Sequence, residues 1–492
     1  MSFEVLSSVL TLNNISWIAF GVLLGYIVGV IPGLGKGTAV AVSIPITFYL
    51  SPLTGIAYLI GIAKGSTAGS AVSAILLNTP GEPSSAPTAL DGYPLSQKGQ
   101  ASKALKMGLF ASVIGDFSAT LLLIFLAAPL AKYALLFGPV EVTAILLFSL
   151  TFIAALSGES LIKGLIAGLF GLLFSTVGME VETATVRLTF DILELYDGLS
   201  LIPVAIGMLA VAEMLVQLGG LEALERQQKM LKGNIKAINQ SISWEEWKLC
   251  IPAIIRGTFV GSTIGILPGL GASVASFLSY GLTKKAAKDP SRFGKGAIEG
   301  IAAAESADNA VVPSSLVPLF ALGIPGSVIA AILIGAFIIQ GVTPGPLMFV
   351  QQPELVHGIY LSMICASLLL LLIGYFGQKL FSFVSLVSLR VIIPSVIFFC
   401  SVGAYLQGGG IVGVWLILFF GIFGYLAKKL DFSFVTFLIG FVVGPQFELS
   451  MRQAIAITPS FDDLMEHPIA IGFVLITIIA VWKIGIKKKK LN

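Results

Sequence analysis

Histidine, cysteine and charge are all scarce in this chain. Only His357 and His467 are present, far apart, which leaves no histidine-rich metal centre. Cys250, Cys365 and Cys400 are scattered in apolar sequence without paired spacing, which excludes a disulfide framework and a cysteine metal site. Charged residues make up 11% of the 492 positions, against about 25% in a soluble domain. Enzyme signatures are missing too. Neither a HExxH pair nor a DxxxD cluster occurs among the apolar segments. GLGKGT at 33–38 echoes a phosphate loop, but Gly37 separates Lys36 from Thr38, and no nucleotide-binding domain surrounds it. No ATPase is encoded, so the energy for any work comes from an ion gradient or another subunit. The N-terminus has neither the basic region nor the cleavage site of a signal peptide, so the first apolar segment is expected to stay.

What is there is apolar. Hydrophobic residues reach 56%, mean hydropathy is +0.97, and there are 54 glycines. An all-α polytopic membrane protein follows, because apolar runs of this length read as membrane-crossing helices, whereas barrel strands are shorter and alternate. Apolar stretches fall at 15–31, 38–50, 56–78, 107–128, 140–156, 163–177 and 201–218. A second set falls at 249–267, 272–283, 297–323, 328–345, 357–376, 391–405, 411–427, 432–446 and 468–486. With the C-terminal run Lys487–Lys490 placed in the cytoplasm, basic loops alternate with acidic or neutral ones. The basic set includes 95–106, 219–248 and 284–295; the opposite set includes 178–200 and 447–467.

One broken-helix signature occurs twice, as GYIVGVIPGLG at 25–35 and GSTIGILPGLG at 261–271. Proline removes a donor and clashes with the preceding turn, so a helix stops there at membrane depth. Freed backbone groups are costly in hydrocarbon unless they line a cavity or bind something. A second break follows each copy, at Thr79-Pro80-Gly81 and at Ile324-Pro325-Gly326. Each reads as a re-entrant hairpin whose tip presents freed N–H groups to an anion. Loops 51–55 and 284–295 correspond in the repeat but differ in charge, as do 95–106 and 346–356. The halves are therefore expected to be inverted repeats, 1–219 and 249–492, joined by a basic cytoplasmic linker at 220–248. Inverted repeats with broken helices mark secondary transporters.

The chain resembles the large membrane subunit of the tripartite tricarboxylate transporters, the TctA family. The residues responsible are GVIPGLG (29–35), AILLNTPGEPSSAPTALDGYPLSQKGQASKAL (74–105), DGLSLIPVAIGMLAVAEML (197–215), ILPGLG (266–271), ESADNA (305–310), ALGIPGS (321–327) and GVTPGP (341–346). The resemblance implies a permease subunit in the inner membrane that takes up di- or tricarboxylates or related organic anions. It implies coupling to a cation, usually sodium, an elevator-type motion, a periplasmic solute-binding protein and a small membrane subunit. A stand-alone carrier or a channel is the alternative, and no nucleic-acid partner is expected. The chain departs from the family pattern at Ala68–Ala71, where members commonly read Tyr-Gly-Gly-Ser. It departs also at Lys36, whose repeat equivalent is Ala272, and at Lys64. The anion, and the choice of sodium or a proton, stay open.

The substrate candidates are the two tips: Asn78, Thr79, Pro80 and Gly81, then Gly323, Pro325, Gly326 and Ser327. Candidate cation ligands are the carbonyls of Gly33, Gly35, Gly269 and Gly271, with Thr343, Glu305, Asp308 and Asn309, since hard cations favour oxygen. Lys64 lies inside an apolar segment, where an ionisable group is a functional candidate. It is expected to pair with Glu305 or Asp308, or to meet a substrate carboxylate; the other reading is a lysine snorkelling to an interface. Glu82 and Asp91 flank the first tip and suit either a cation or a polar interface.

Overall fold

A computed structural model describes residues 3–156, 160–180, 182–219, 240–384, 389–407 and 409–489. These are helical almost throughout; a two-residue ribbon, Gly178–Met179 against Val186–Arg187, is the only strand pair among them. Eight of the described helices are long and apolar enough to cross a membrane. They are Leu12–Val30, Pro52–Leu77, Ala101–Ala134, Leu201–Gly219, Trp244–Ile266, Pro353–Gly377, Ile411–Lys429 and Phe434–Ile457. Pro52–Leu77 rises about 39 Å at 1.5 Å per residue, enough for a bilayer core of about 30 Å. Shorter apolar helices, among them Leu161–Ser175 and Val328–Ile339, complete the pattern.

Helix starts follow local chemistry. Thr11 and Ser51 cap their helices by accepting the N–H groups of Asn14 and Thr54, and Pro52 occupies the first turn, where its missing donor costs nothing. Ser243 and Glu246 form a capping box, so that helix begins at Trp244, inside the segment expected to be linker. Residues 220–239 of that linker, and 490–492 of the basic tail, lie outside the described residues.

The signature breaks have one geometry in both halves. Leu12–Val30 ends on extended Ile31, whose N–H reaches the Val28 carbonyl; Trp244–Ile266 ends on extended Leu267, bonded to Ile264 in the same way. Gly33 and Gly269 then turn left-handed, at φ 81° and 87°. Each donates its N–H across to the second break of its own half, Gly33 to the Gly81 carbonyl and Gly269 to the Gly326 carbonyl, both at 3.2 Å. The chain thus ties its two breaks together twice.

Small residues make this possible. A Cβ on Gly25 would lie 2.2 Å from the Ile62 carbonyl oxygen, and one on Gly261 would lie 2.3 Å from that of Ala307. Leu12–Val30 therefore packs backbone to backbone on Pro52–Leu77, and Trp244–Ile266 does the same on Ile298–Ser314. Pro52–Leu77 is buried from Thr54 onward, and Ile298–Ser314 along its whole length. Pro52–Leu77 runs straight into its second break, and Ile298–Ser314 reaches its own through the short helix Leu316–Leu322.

Connecting segments gather by charge. Lys98 donates to the Lys295 carbonyl at 2.6 Å, Lys103 pairs with Glu246 at 2.7 Å, and Lys106 donates to the Gln240 carbonyl at 2.9 Å. Elsewhere Arg187 pairs with Glu448 at 2.6 Å and Arg452 with Glu180 at 2.7 Å. The neutral 51–55 loop lies near 340–358: Gln340 donates to the Thr47 carbonyl at 2.6 Å, and Leu53 packs on Gly358.

Candidate functional site

The first turn of helix Lys36–Thr47 is the meeting point of both second breaks. Gly35, its N-cap, lies against Glu82, which closes the first break; Gly37 lies against Val328, which follows the second. The Lys36 N–H donates to Glu82 Oε1, so a carboxylate covers a helix N-terminus, where the dipole favours it. The Lys36 ammonium turns back on the other oxygen, 2.9 Å from Glu82 Oε2, and also donates to Asp308 Oδ1 at 3.3 Å. One lysine thus bridges an acid from each half.

Asp308 sits on the enclosed helix Ile298–Ser314 with Glu305 and Asn309, one turn apart. Glu305 is fully buried; it accepts from Thr88 at 2.6 Å through Oε1 and from Ser112 at 3.0 Å through Oε2. Asn309 Nδ2 donates to the Glu305 carbonyl at 3.0 Å and to Glu305 Oε2 at 3.4 Å. Asp308 Oδ2 is buried without a hydrogen-bond partner. Thr88 comes from the first half, in helix Ala86–Gln97, and Ser112 from Ala101–Ala134. Their roles were not visible in the sequence, since hydroxyls in apolar helices usually bond their own backbone.

The other candidates are distributed as follows. Asn78 ends Pro52–Leu77 in a left-handed turn and is exposed; Thr79 donates to the Leu77 carbonyl at 3.2 Å, and Pro80 is half-buried. Gly81 folds back so that its N–H reaches the Ser70 carbonyl at 3.4 Å. In the second half Gly323 is left-handed and Pro325 is buried. Ser327 caps Val328–Ile339 through the Ala330 N–H at 3.2 Å and shares a 3.0 Å bond with Ser315. Gly271 opens helix Gly271–Ala286 left-handed, whereas its counterpart Gly35 is extended. Thr343 is exposed on a loop whose Pro344 and Gly345 face Gly323.

One expectation needs correction and another is narrowed. Lys64 meets neither Glu305 nor Asp308, and it does not snorkel. Its ammonium is fully enclosed and pairs with Asp116 at 2.8 Å, donating also to Thr120 at 3.0 Å, Ser367 at 2.9 Å and the Met363 carbonyl at 2.9 Å. Asp116 is the lone acid in the 107–128 stretch, so the rule that flagged Lys64 applies to it equally. The physical reason for the partner is proximity: Pro52–Leu77 packs on Ala101–Ala134 as well as on Pro353–Val384. Asp91, for its part, is saturated as a clamp. Oδ1 accepts the N–H groups of Gly294, Gly296 and Ala297, and Oδ2 accepts the Tyr280 hydroxyl, all at 2.8 Å. It holds the start of Ile298–Ser314 in place and has little left for a cation.

The model of the tripartite tricarboxylate transporter TctA family matches residues 15–439. The chain belongs to the TctA family. A protein of Agrobacterium vitis described as an uncharacterized 52.8 kDa protein in the TAR-I ttuC' 3'region is 39% identical over 449 residues, covering 91% of this chain and 88% of that one. An uncharacterized protein in the TAR-II ttuC' 3'region of the same organism is 37% identical over 234 residues, covering 47% of this chain and 97% of its own length. No solved structure matches the chain. The TctA match spans every group of the Lys36 cluster, and it makes the chain a multi-pass membrane component of a transporter family. Within that cluster Glu82 and Asp308 share the Lys36 ammonium, and Glu305 is held by Thr88, Ser112 and Asn309.

Proposed function

We propose that this chain is the permease subunit of a secondary transporter that takes up di- or tricarboxylates, or related organic anions, with a coupling cation. The observation that carries the reading is Lys36, held between Glu82 and Asp308 at the first turn of a helix that both second breaks adjoin. An ammonium at a helix N-terminus attracts a carboxylate. The surrounding Glu305, Asp308 and Asn309 oxygens suit a hard cation such as sodium, or a proton. Anion and cation would then meet where the two halves join, as in transporters built from repeats with broken helices.

The two halves act in this reading as inverted repeats that carry the breaks through an elevator-type motion. The segregated loops support it: 95–106 lies by 284–295, and 51–55 lies by 340–358, the pairing that inversion requires. The basic loops and the C-terminus face the cytoplasm across the inner membrane. A periplasmic solute-binding protein and a small membrane subunit complete the system, as the family name's "tripartite" suggests.

Thermal unfolding of the purified chain, titrated with citrate and succinate with and without sodium, tests the reading. A productive anion at a hundredfold excess over Kd stabilises by about 2.7 kcal/mol, and sodium or low pH should tighten it. Carboxylates that leave unfolding unchanged under every cation condition would count against it.

A further inference from the structure

Lys36 is the odd member of the repeat. Ala272 stands at the equivalent place in the second half, so only one of the two helix starts brings its own positive charge. That charge lies on a flexible stem, 15% exposed, whereas the side chains of Glu82 and Asp308 are 6% and 1% exposed. Lys36 is therefore the most accessible side chain of the three. The acids behind it are not fully satisfied. Asp308 spends one oxygen on Lys36 and keeps the other buried and unpartnered. Glu305, one turn away, is bonded only by neutral donors, Thr88, Ser112 and Asn309.

We propose that the Glu82–Asp308 pair is a monovalent-cation site whose resident occupant is the Lys36 ammonium. A substrate carboxylate that draws this ammonium away opens the pair to a free cation. The inference rests on the transport reading above and deepens it, by making one side chain the link between the two ligands. Lysine suits the task because its ammonium is a compact point charge on four rotatable carbons, comparable in charge to the ion it stands in for. Glu82 loses only one of its two contacts when the ammonium leaves, because the Lys36 N–H still holds Oε1. The vacated place keeps Glu82 Oε2 and Asp308 Oδ1, with Oδ2 of the same carboxylate unpartnered, a donor set of the hard-oxygen kind. Cation binding before the anion would set a free ion against the tethered one, so the anion-free chain should respond weakly to cations. By linkage each ligand then strengthens the other by the same factor.

The test uses the full-length purified chain and its Lys36→Met and Lys36→Arg variants. Thermal unfolding is followed against sodium, with choline holding ionic strength, in the presence and absence of citrate or succinate. In the unmodified chain, sodium stabilises only when the carboxylate is present. In Lys36→Met, sodium stabilises without the carboxylate, and carboxylate affinity falls at least tenfold. Lys36→Arg keeps the dependence of sodium on the carboxylate. If Lys36→Met is too unstable to purify, the charge-balanced Lys36→Met/Asp308→Asn variant carries the test through its carboxylate affinity. A Lys36→Met chain that still needs the carboxylate before it responds to sodium overturns the proposal, as does a double variant with unchanged carboxylate affinity. An unmodified chain that responds to no carboxylate overturns the transport reading itself, and this proposal with it.

Discussion

Lys64 and Asp116 form the most enclosed ion pair described in the molecule, at 0% and 1% side-chain exposure. The pair joins three helices through Thr120, Ser367 and the Met363 carbonyl, and it shares no hydrogen bond with the Lys36 cluster. With its donors spent inside the protein, such a pair is expected to serve structure. Lys64→Met strands a buried carboxylate and should cost about 3–5 kcal/mol of stability. Lys64→Met/Asp116→Leu removes both charges and should recover most of that loss. Thermal unfolding measures both, and recovery in the double variant with unchanged carboxylate affinity separates a structural pair from a binding one. Lys64 was legible in the sequence as a buried charge, but its partner was not. The repeat alignment points only to residues on the matching helix, whereas Asp116 and Ser367 arrive on helices 52 and 303 residues' separation away.

The breaks were legible because proline and glycine announce themselves, and their recurrence shows that both halves use one device. What no local signal could show is the fold-back. Gly81 lies beside Ser70 and Gly326 beside Ser315, each eleven residues behind, through contacts that exist only once the helices are packed. A Cβ on Gly81 would come within 2.4 Å of the Gly29 carbonyl oxygen, and one on Gly326 within 2.6 Å of that of Ser315. Both neighbours are backbone and cannot swing aside. Gly81→Ala and Gly326→Ala should each destabilise by about 1–3 kcal/mol, the range for overpacking. Each should also weaken carboxylate-linked stabilisation, because the Gly33 and Gly269 bonds to these breaks shift with them. Unfolding with and without citrate checks both, and an alanine variant that matches the parent in both readouts would refute the close-packed junction.

At the scale of the whole molecule, the placement of helices followed from hydropathy, and the grouping of loops followed from lysine and arginine. Lys98 beside Lys295 and Arg187 beside Glu448 bear out that grouping. Less legible was where the halves join. Thr88 on Glu305, Tyr280 on Asp91 and Lys36 on Asp308 are all bonds between halves; Thr88 and Tyr280 look unremarkable in their own segments, and nothing local pairs Lys36 with Asp308. The sequence points to an anion site between the two tips that needs no arginine, with Lys64 as the one basic candidate. The structure adds Lys36 beside the breaks, paired with Glu82 and Asp308 on a helix that neither tip contains.

These junction bonds are what the transport reading asks to carry both ligands, and uptake measures that most directly. Proteoliposomes bearing the chain with its partner subunits, given labelled citrate or succinate, should show saturable accumulation that collapses when the sodium or proton gradient is dissipated. Conductance that needs no substrate, or uptake indifferent to every cation gradient, would contradict the account.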